Sequence, residues 1–212
     1  MPPANDHYYT AEPSSEHRPA EVRFCYGGRD LVFATDSGVF SRRELDRGTE
    51  VLLHALPEDL TGPVLDMGCG YGAIGVALGA RWPGLAVTMA DVNRRACDLA
   101  RGNARRNGVQ AEVLESDGYA ALEGRRFAAI LQNPPIRAGK AVIYRMFADG
   151  AKSLLPGGQL WLVIRKQQGA PSAMSYLATL FAEVAVVEKK SGYWVLRCSA
   201  PFEAAGEDTK DV

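Results

Sequence analysis

The chain has no hydrophobic run close to the ~20 residues that a membrane-spanning helix needs. Its purest apolar stretch, Leu160–Ile164, has only the length of a strand. Residues 1–19 are polar and contain proline, with no basic segment before an apolar one, so no secretory signal is expected. The four cysteines, Cys25, Cys69, Cys97 and Cys198, form no C-x-x-C pair. We therefore expect a cytoplasmic protein with buried or incidental thiols and without membrane contact, disulfide frame or zinc site.

Extremes of composition are absent as well. Hydrophobic residues make up 47% and charged residues 23% of the 212 residues, which excludes a largely disordered or fibrous chain. The net charge of −1 is unevenly distributed, because residues 1–21 and 203–212 each carry −3 and residues 22–202 therefore carry +5. We expect a flexible tail over 1–20, one folded domain over 21–202 and an acidic disordered tail over 203–212. The basic domain permits an RNA partner, although an ordinary solvated surface explains the charge equally well.

Strands and helices alternate from Pro63 onward, which predicts a mostly parallel sheet covered by helices on both faces. Before that point, two apolar runs, Val22–Tyr26 and Leu31–Thr35, predict a hairpin, and a helix is expected over Arg42–Ala55. The last two strands are joined by a short turn and should be antiparallel. The predicted strands are Val64–Met67, Ala86–Ala90, Ala111–Glu115, Phe127–Gln132, Gln159–Ile164, Glu183–Glu188 and Tyr193–Cys198. The predicted helices are Ala73–Arg81, Asn93–Asn107, Ala141–Leu155 and Ser172–Phe181, with a turn at Pro156-Gly157-Gly158.

A glycine-rich segment, Gly68-Cys69-Gly70-Tyr71-Gly72, joins the first of these strands to the first helix. Glycines at such a junction let the chain turn tightly and let a ligand approach the backbone. Gly70-x-Gly72-x-x-Gly75, with an acid at Asp91, matches the dinucleotide fingerprint. However, Asp66 at the strand tip is poorly placed beside a pyrophosphate and suits a ligand with an ammonium group. In addition, the fourth strand ends in Asn133-Pro134-Pro135-Ile136, and no hydride-transfer site follows it, so NAD is disfavoured.

These motifs, together with Asp117 after the third strand, resemble class I S-adenosylmethionine-dependent methyltransferases. More narrowly, the chain resembles the methyltransferase small group, which includes ribosomal RNA guanine exocyclic-amine methyltransferases. Residues 33–41, 45–49 and 133–140 are typical of that group, and the resemblance covers about residues 20–200. It implies an α/β Rossmann-like fold whose seven-stranded sheet is mostly parallel with an antiparallel last strand. A small hairpin/helix extension over 21–60 should precede a catalytic core over 61–202, and the extra N-terminal domain of larger ribosomal members is expected to be absent.

The resemblance implies S-adenosyl-L-methionine as the cofactor and RNA, from ribosomal RNA or a ribosomal particle, as the partner. Asp66 would hold the methionine end, directly or through water, with the amides of Gly68–Gly72 around it. Asp91 would accept the ribose hydroxyls and Asp117 the adenine amine. Capping or turn roles remain the alternatives for these three carboxylates. The predicted cofactor site consists of Asp66, Gly68, Cys69, Gly70, Gly72, Asp91, Val92, Asp117, Gly118 and Asn133.

The segment Asn133-Pro134-Pro135-Ile136 is predicted to be catalytic. An amine conjugated to a purine is a poor nucleophile, and the Asn133 side-chain oxygen and the Pro134 carbonyl could each accept one of its N–H groups. This would aim the nitrogen lone pair at the methyl group, and the two prolines would keep the acceptors preorganised. Ile136, where many relatives have a stacking aromatic residue, would form an apolar floor. The predicted substrate contacts are Phe33 and Phe40, of which at least one is expected to pack in the core, and Arg137 and Lys140, which would bind RNA phosphates.

Several functions remain open at this point. The Asn-Pro-Pro motif also serves enzymes that methylate an adenine amine or a glutamine side-chain amide, although those more often have Tyr or Phe after the prolines. A cofactor-binding protein without catalysis is an alternative of another class, which the intact Asn133-Pro134-Pro135 disfavours. The histidines His7, His17 and His54 form no ligand cluster along the sequence, so no metal is assigned.

Overall fold

A computed structural model of the chain describes residues 16–41 and 44–202. Within these residues the chain forms nine strands and five α-helices. The strands are β1 (Ala20–Tyr26), β2 (Arg29–Thr35), β3 (Val64–Met67), β4 (Val87–Asp91), β5 (Ala111–Glu115), β6 (Phe127–Gln132), β7 (Leu154–Arg165), β8 (Phe181–Lys190) and β9 (Tyr193–Pro201). The helices are α1 (Arg47–Ala55), α2 (Ala73–Arg81), α3 (Arg94–Arg106), α4 (Lys140–Lys152) and α5 (Ala170–Leu177).

Seven strands form one sheet in the order β5-β4-β3-β6-β7-β9-β8. The pairs β5/β4, β4/β3, β3/β6 and β6/β7 are parallel, and β9 runs antiparallel to both β7 and β8. Strands β1 and β2 form a separate antiparallel hairpin. The predicted Rossmann-like sheet with an antiparallel last strand and an N-terminal hairpin is therefore confirmed. None of the described helices is long and apolar enough to cross a membrane.

The sheet is covered on both faces, and each face has its own hydrophobic core. Because neighbouring residues of a strand point to opposite faces, Val64 joins the core under α1, α2 and α3, whereas Leu65 joins the core under α4 and α5. All four residues of β3 are buried, as expected for a central parallel strand. This arrangement places the loops that follow β3, β4, β5 and β6 together at one edge of the sheet.

The N-terminal hairpin is attached to α3 by two asparagines one helical turn apart. The amide of Asn103 accepts from the Ala34 N–H at 2.7 Å and donates to the Ala34 carbonyl at 2.9 Å. Asn107 makes the same two bonds with the backbone of Val32, at 3.0 and 2.9 Å. The two side chains thus pair with β2 as a neighbouring strand would, and they hold the extension beside the loops of the sheet edge.

Several element boundaries differ from the prediction. Helix α1 begins at Arg47, because the Asp46 carboxylate caps it by accepting from the Thr49 N–H at 2.9 Å; residues 42 and 43, which were predicted to be helical, lie outside the described residues. The predicted turn at 156–158 lies inside β7, where pairing with β6 skips from Leu154 to Gln159, so the turn takes the form of a bulge. Of the two predicted tails, residues 1–15 and 203–212 also lie outside the described residues.

Candidate functional site

A cavity of about 300 Å³ opens at the carboxyl ends of β3, β4, β5 and β6. In an open α/β sheet this edge is where ligands bind. Eleven of the residues singled out in the sequence line the cavity: Phe40, Gly68, Cys69, Gly70, Asp91, Val92, Asp117, Gly118, Asn133, Pro134 and Pro135. The structure therefore brings together residues that are up to 95 positions apart in the sequence.

The glycine loop after β3 forms one wall of the cavity. Gly68 and Gly70 have φ angles of 72° and 56°, a region that glycine adopts without strain. A Cβ at either position would meet no protein atom within 4 Å, so it would project into open space where a ligand could approach. Three N–H groups of this loop already have acceptors within the protein. Gly68 and Cys69 donate to the Ala90 carbonyl, and Gly70 donates to a carboxylate oxygen of Asp91 at 2.8 Å. The loop therefore does not offer these amides to a pyrophosphate, which agrees with the sequence argument against NAD.

Asp66 does not line the cavity, so its contact with the methionine end of a cofactor, directly or through water, stays a prediction. The carboxylate is 1% exposed, and its Oδ2 accepts from the Gly75 N–H in the first turn of α2 at 2.8 Å. It therefore caps α2, whose N-cap residue Gly72 has no side chain to do so. Burial raises the pKa of Asp66 to about 7, and its Oδ1 has no hydrogen-bond partner among the described residues.

Asp91 ends β4 with its carboxylate on the cavity. Each carboxylate oxygen accepts one backbone N–H: Oδ2 from Gly70 and Oδ1 from Asn93, both at 2.8 Å. These bonds fix the side chain, and a carboxylate with two oxygens has capacity to accept from a further donor in the cavity. Burial raises the pKa of Asp91, so a bound pair of hydroxyl donors would compensate for a carboxylate that has lost much of its hydration. The following residue, Val92, also lines the cavity.

Asp117 and Gly118 lie where β5 leaves the sheet. The turn is held by Ser116, whose hydroxyl donates to the Gly118 carbonyl at 2.7 Å and accepts from the Ala121 N–H at 3.0 Å. The Asp117 carboxylate is 80% exposed and lies 3.9 Å from the guanidinium of Arg145. It therefore remains accessible at the rim of the cavity, where it can accept from a polar group of a ligand.

Asn133, which directly follows β6, has its side-chain amide fixed from outside its own loop. Its Nδ2 donates to the Asp46 carboxylate at 2.8 Å and to the Thr49 hydroxyl at 3.0 Å. A carboxylate can only accept, so the amide nitrogen faces Asp46 and the amide oxygen faces the other way. All three residues line the cavity. The Asn133 oxygen is thereby left as an acceptor beside Pro134 and Pro135, which also line it.

Several predicted site residues lie elsewhere. Phe33 is fully buried and stacks on Phe24 with ring centroids 5.0 Å apart, so of the two predicted aromatic residues it is the one that packs in the core. Ile136 is partly buried and packs against the core under α4, whereas Ala138 and Val142 line the cavity at that end, so its role as an apolar floor stays a prediction. The remaining predicted residues that do not line the cavity are Gly72, Arg137 and Lys140. Phe40, by contrast, is 38% exposed and does line it.

Two groups of cavity residues were missed in the sequence. Asp46 and Thr49 lie in the 45–49 segment that is typical of the methyltransferase small group, but nothing local shows that their partner is more than 80 residues away. The second group comes from α4 and consists of Val142, Arg145, Met146 and Asp149. Its spacing of three, one and three residues marks one helical face, and this periodicity is the signal that could have identified it.

The sheet, the glycine loop, the carboxylates that follow β4 and β5, and the Asn-Pro-Pro loop after β6 are together the features of a class I methyltransferase. Comparison with known proteins agrees with this class. The model of the methyltransferase small domain family matches residues 30–197, and the chain belongs to this family.

Two relatives and one solved structure illustrate the similarity. The uncharacterized protein YbxB of Bacillus subtilis is 42% identical over 196 residues, covering 91% of this chain and 98% of YbxB. Ribosomal RNA small subunit methyltransferase C of Shewanella amazonensis is 35% identical over 188 residues, covering 87% of this chain and 54% of that protein. The structure of the T. thermophilus 16S rRNA N2 G1207 methyltransferase RsmC, in complex with AdoMet and guanosine, has a TM-score of 0.77 at 28% identity and covers 89% of this chain. The chain spans 52% of that RsmC chain and thus about half the length of these ribosomal methyltransferases.

Proposed function

We propose that this protein transfers a methyl group from S-adenosylmethionine to the exocyclic amine of a guanine in RNA, and that this RNA is small-subunit ribosomal RNA. The observation that carries the proposal is the fixed amide of Asn133, whose oxygen is kept as an acceptor in the cavity by Asp46 and Thr49. The names of the relatives, which include ribosomal RNA small subunit methyltransferases, support the choice of RNA.

The residues present fit the cofactor. The open space above Gly68 and Gly70 leaves room for it against the backbone of the loop. Asp91 would accept the two ribose hydroxyls with its remaining acceptor capacity, and Asp117 would accept the adenine amine. Asp66 would act indirectly, by holding the start of α2 behind the loop. When bound, S-adenosylmethionine supplies an electrophilic methyl group on a sulfonium, whose sulfur keeps the electron pair of the S–C bond that breaks.

The chain's own contribution is to position the nucleophile. The Asn133 oxygen and the Pro134 carbonyl would each accept one N–H of the guanine amine, which draws its nitrogen towards tetrahedral geometry. The nitrogen lone pair would then point at the methyl carbon and form the new N–C bond. The two prolines limit motion of the acceptors, so that little reorganisation is needed during the reaction. No dedicated base is required, because the methylated nitrogen becomes strongly acidic and releases its proton to water.

The same acceptor pair would also suit an adenine amine or a glutamine amide. The absence of an aromatic residue after Pro135 favours guanine, because those other enzymes more often have Tyr or Phe where this chain has Ile136. Phe40, which is partly exposed on the cavity, offers an aromatic face for a base instead.

Label transfer tests the proposed substrate. The protein would be incubated with methyl-labelled S-adenosylmethionine and, separately, with naked 16S rRNA, small ribosomal subunits and total cell protein, and the digested RNA would be analysed by nucleoside mass spectrometry. We expect N2-methylguanosine in the RNA. Methylated adenosine or labelled glutamine would overturn the guanine assignment, and the absence of cofactor binding in a calorimetric titration would overturn the catalytic one.

A further inference from the structure

Three strands extend beyond the sheet edge that carries Asn133. The last residue of β6, Gln132, pairs with Leu162, so β7 continues for three more residues to Arg165. This extension pairs with the start of β9, which in turn pairs with the end of β8. At about 3.3 Å per residue, the ends of β7, β9 and β8 rise roughly 10 Å above the level of Asn133.

The raised strand ends carry four exposed cations, Arg165, Lys166, Lys189 and Lys190, which we call the basic ridge. None of the four makes an ion pair with a described carboxylate. Two of the cations stack on aromatic rings of β9. The Arg165 guanidinium lies 5.8 Å from the ring centre of Tyr193, and the Lys189 ammonium lies 4.6 Å from the ring centre of Trp194. Tyr193 packs against the core on one side of the sheet and Trp194 against the core on the other.

Lysines on an edge strand often serve only to prevent pairing with other sheets. That explanation suits Lys189 and Lys190, because β8 is an edge strand. It also covers Arg165, because β7 beyond Leu162 pairs only with β9, but it does not suit Lys166, which follows the last residue of β7. The concentration of positive charge at the ends of β7 and β8 therefore needs a further explanation.

The basic ridge is joined to the catalytic side of the cavity through the start of α1. The Arg47 guanidinium donates to the Ser191 hydroxyl in the β8–β9 turn at 3.2 Å. A Cβ on Gly48 would lie 3.0 Å from the Tyr193 ring, so α1 also touches β9 closely. The residue before Arg47 is Asp46, which binds the Asn133 amide. An RNA strand whose target base enters the cavity would thus have the basic ridge beside it.

We propose that the basic ridge binds the phosphates of the RNA segment that flanks the target nucleotide. This inference rests on the proposed function and adds to it a docking surface separate from the predicted phosphate contacts at Arg137 and Lys140. Lysine and arginine on raised, solvent-facing positions bind a nucleic-acid backbone through its charge and without sequence preference. The ridge would therefore contribute affinity and orientation, while selection of the base would remain with the cavity.

The test compares a ridge variant with a charge-matched control. The ridge variant carries Lys166→Gln, Lys189→Gln and Lys190→Gln. The control carries Arg105→Gln, Arg126→Gln and Lys152→Gln, three exposed cations at the opposite edge of the sheet. Binding of a fluorescent single-stranded RNA of ribosomal sequence would be measured by anisotropy over a series of salt concentrations, together with the KM for that RNA in methyl transfer.

Affinity for RNA falls with salt, and each lysine that no longer binds a phosphate of single-stranded RNA makes the plot of log affinity against log salt less steep by about 0.7. We expect the slope of the ridge variant to be smaller by about 2 units and its RNA KM to be higher, while its cofactor affinity and urea midpoint match those of the wild type. The control should keep the wild-type slope.

A ridge variant with the wild-type slope and KM overturns the docking surface alone. A wild-type protein that methylates no RNA overturns the proposed function instead. The single variants Lys166→Gln and Lys190→Gln, each expected to reduce the slope by about 0.7 units, provide the same test if the triple variant is unstable.

Discussion

The orientation of the Asn133 amide depends on two acceptors that can be removed separately. Thr49→Val keeps the shape of a buried side chain and deletes the hydroxyl that accepts from Asn133 Nδ2 at 3.0 Å. Asp46→Ser deletes the carboxylate that accepts from the same nitrogen at 2.8 Å. Serine is a good helix cap, so Asp46→Ser preserves a bond to the Thr49 N–H, which the carboxylate normally makes at 2.9 Å.

The two bonds differ in strength, and this difference sets the expected magnitudes. A neutral hydrogen bond contributes about 0.5–1.5 kcal/mol, whereas a bond to a charged group contributes about 1.5–3 kcal/mol. If the amide turns over, it presents its nitrogen to the substrate amine, and both are donors, so the turned state is inactive. We therefore expect Thr49→Val to slow methyl transfer by about 2- to 12-fold and Asp46→Ser by about 10- to 150-fold.

Single-turnover transfer of labelled methyl to RNA measures this effect, because it reports the chemical step without product release. Cofactor affinity should stay at the wild-type value in both variants, because neither side chain contacts the loops that follow β3 and β4 through a hydrogen bond among the described residues. The free energy of unfolding should fall by less than about 1 kcal/mol for Asp46→Ser, since a cap is retained. Wild-type transfer rates in both folded variants would refute the idea that Asp46 and Thr49 position Asn133.

Two further predictions concern the carboxylates after β3 and β4. Asp91→Ala should weaken S-adenosylmethionine binding by about 1.5–3 kcal/mol, the value of a charge-assisted bond, and unchanged calorimetric affinity in a folded variant would remove Asp91 from the site. The pKa of Asp66 is about 7 in the folded state, against about 3.9 in an unfolded chain, so its stabilising contribution is complete below pH 4 and is lost as pH rises to 7. The difference in unfolding free energy between Asp66→Asn and the wild type, measured by urea titration, should therefore move by about 4 kcal/mol in favour of the variant between pH 4 and pH 8. A difference that does not change with pH would contradict the raised pKa.

The order and type of the sheet elements could be predicted because each has a strong local signal. Val64–Met67 and Phe127–Gln132 were predicted with the bounds that the structure gives them, since apolar runs bounded by turn residues depend little on the rest of the chain. The predicted start of α1 at Arg42 was wrong. The helix begins after Asp46 because the Asp46 carboxylate accepts from the Thr49 N–H, and a single side-chain bond of this kind leaves no periodic signal in the sequence. The end of β7 was placed at Ile164, one residue short of Arg165, since pairing with β9 prolongs it.

Within the site, the sequence located residues at the cavity where a motif is continuous, and it missed contacts that are long-range. Asp91 and Asn133 follow strands directly, so the topology alone brings them to the sheet edge. For Asp66 the structure shows the capping role that the sequence left as the alternative, through the bond from the Gly75 N–H, while its contact with a cofactor stays a prediction. Of Phe33 and Phe40, at least one was expected to pack in the core, and the alternation of residues within β2 directs Phe33 there, where it is 0% exposed. The partners of Asn133 come from the N-terminal extension, and no local pattern predicts that contact.

The role of Asn133 as the acceptor that aligns the amine is the central claim, and Asn133→Ala tests it most directly. Single-turnover methyl transfer to RNA would be measured beside a calorimetric titration with S-adenosylmethionine, with nucleoside mass spectrometry to identify the product. We expect a transfer rate lower by ~10²–10³, the cost of losing one preorganised acceptor, with cofactor affinity close to that of the wild type. An Asn133→Ala protein that binds the cofactor and methylates guanine at the wild-type rate would contradict it.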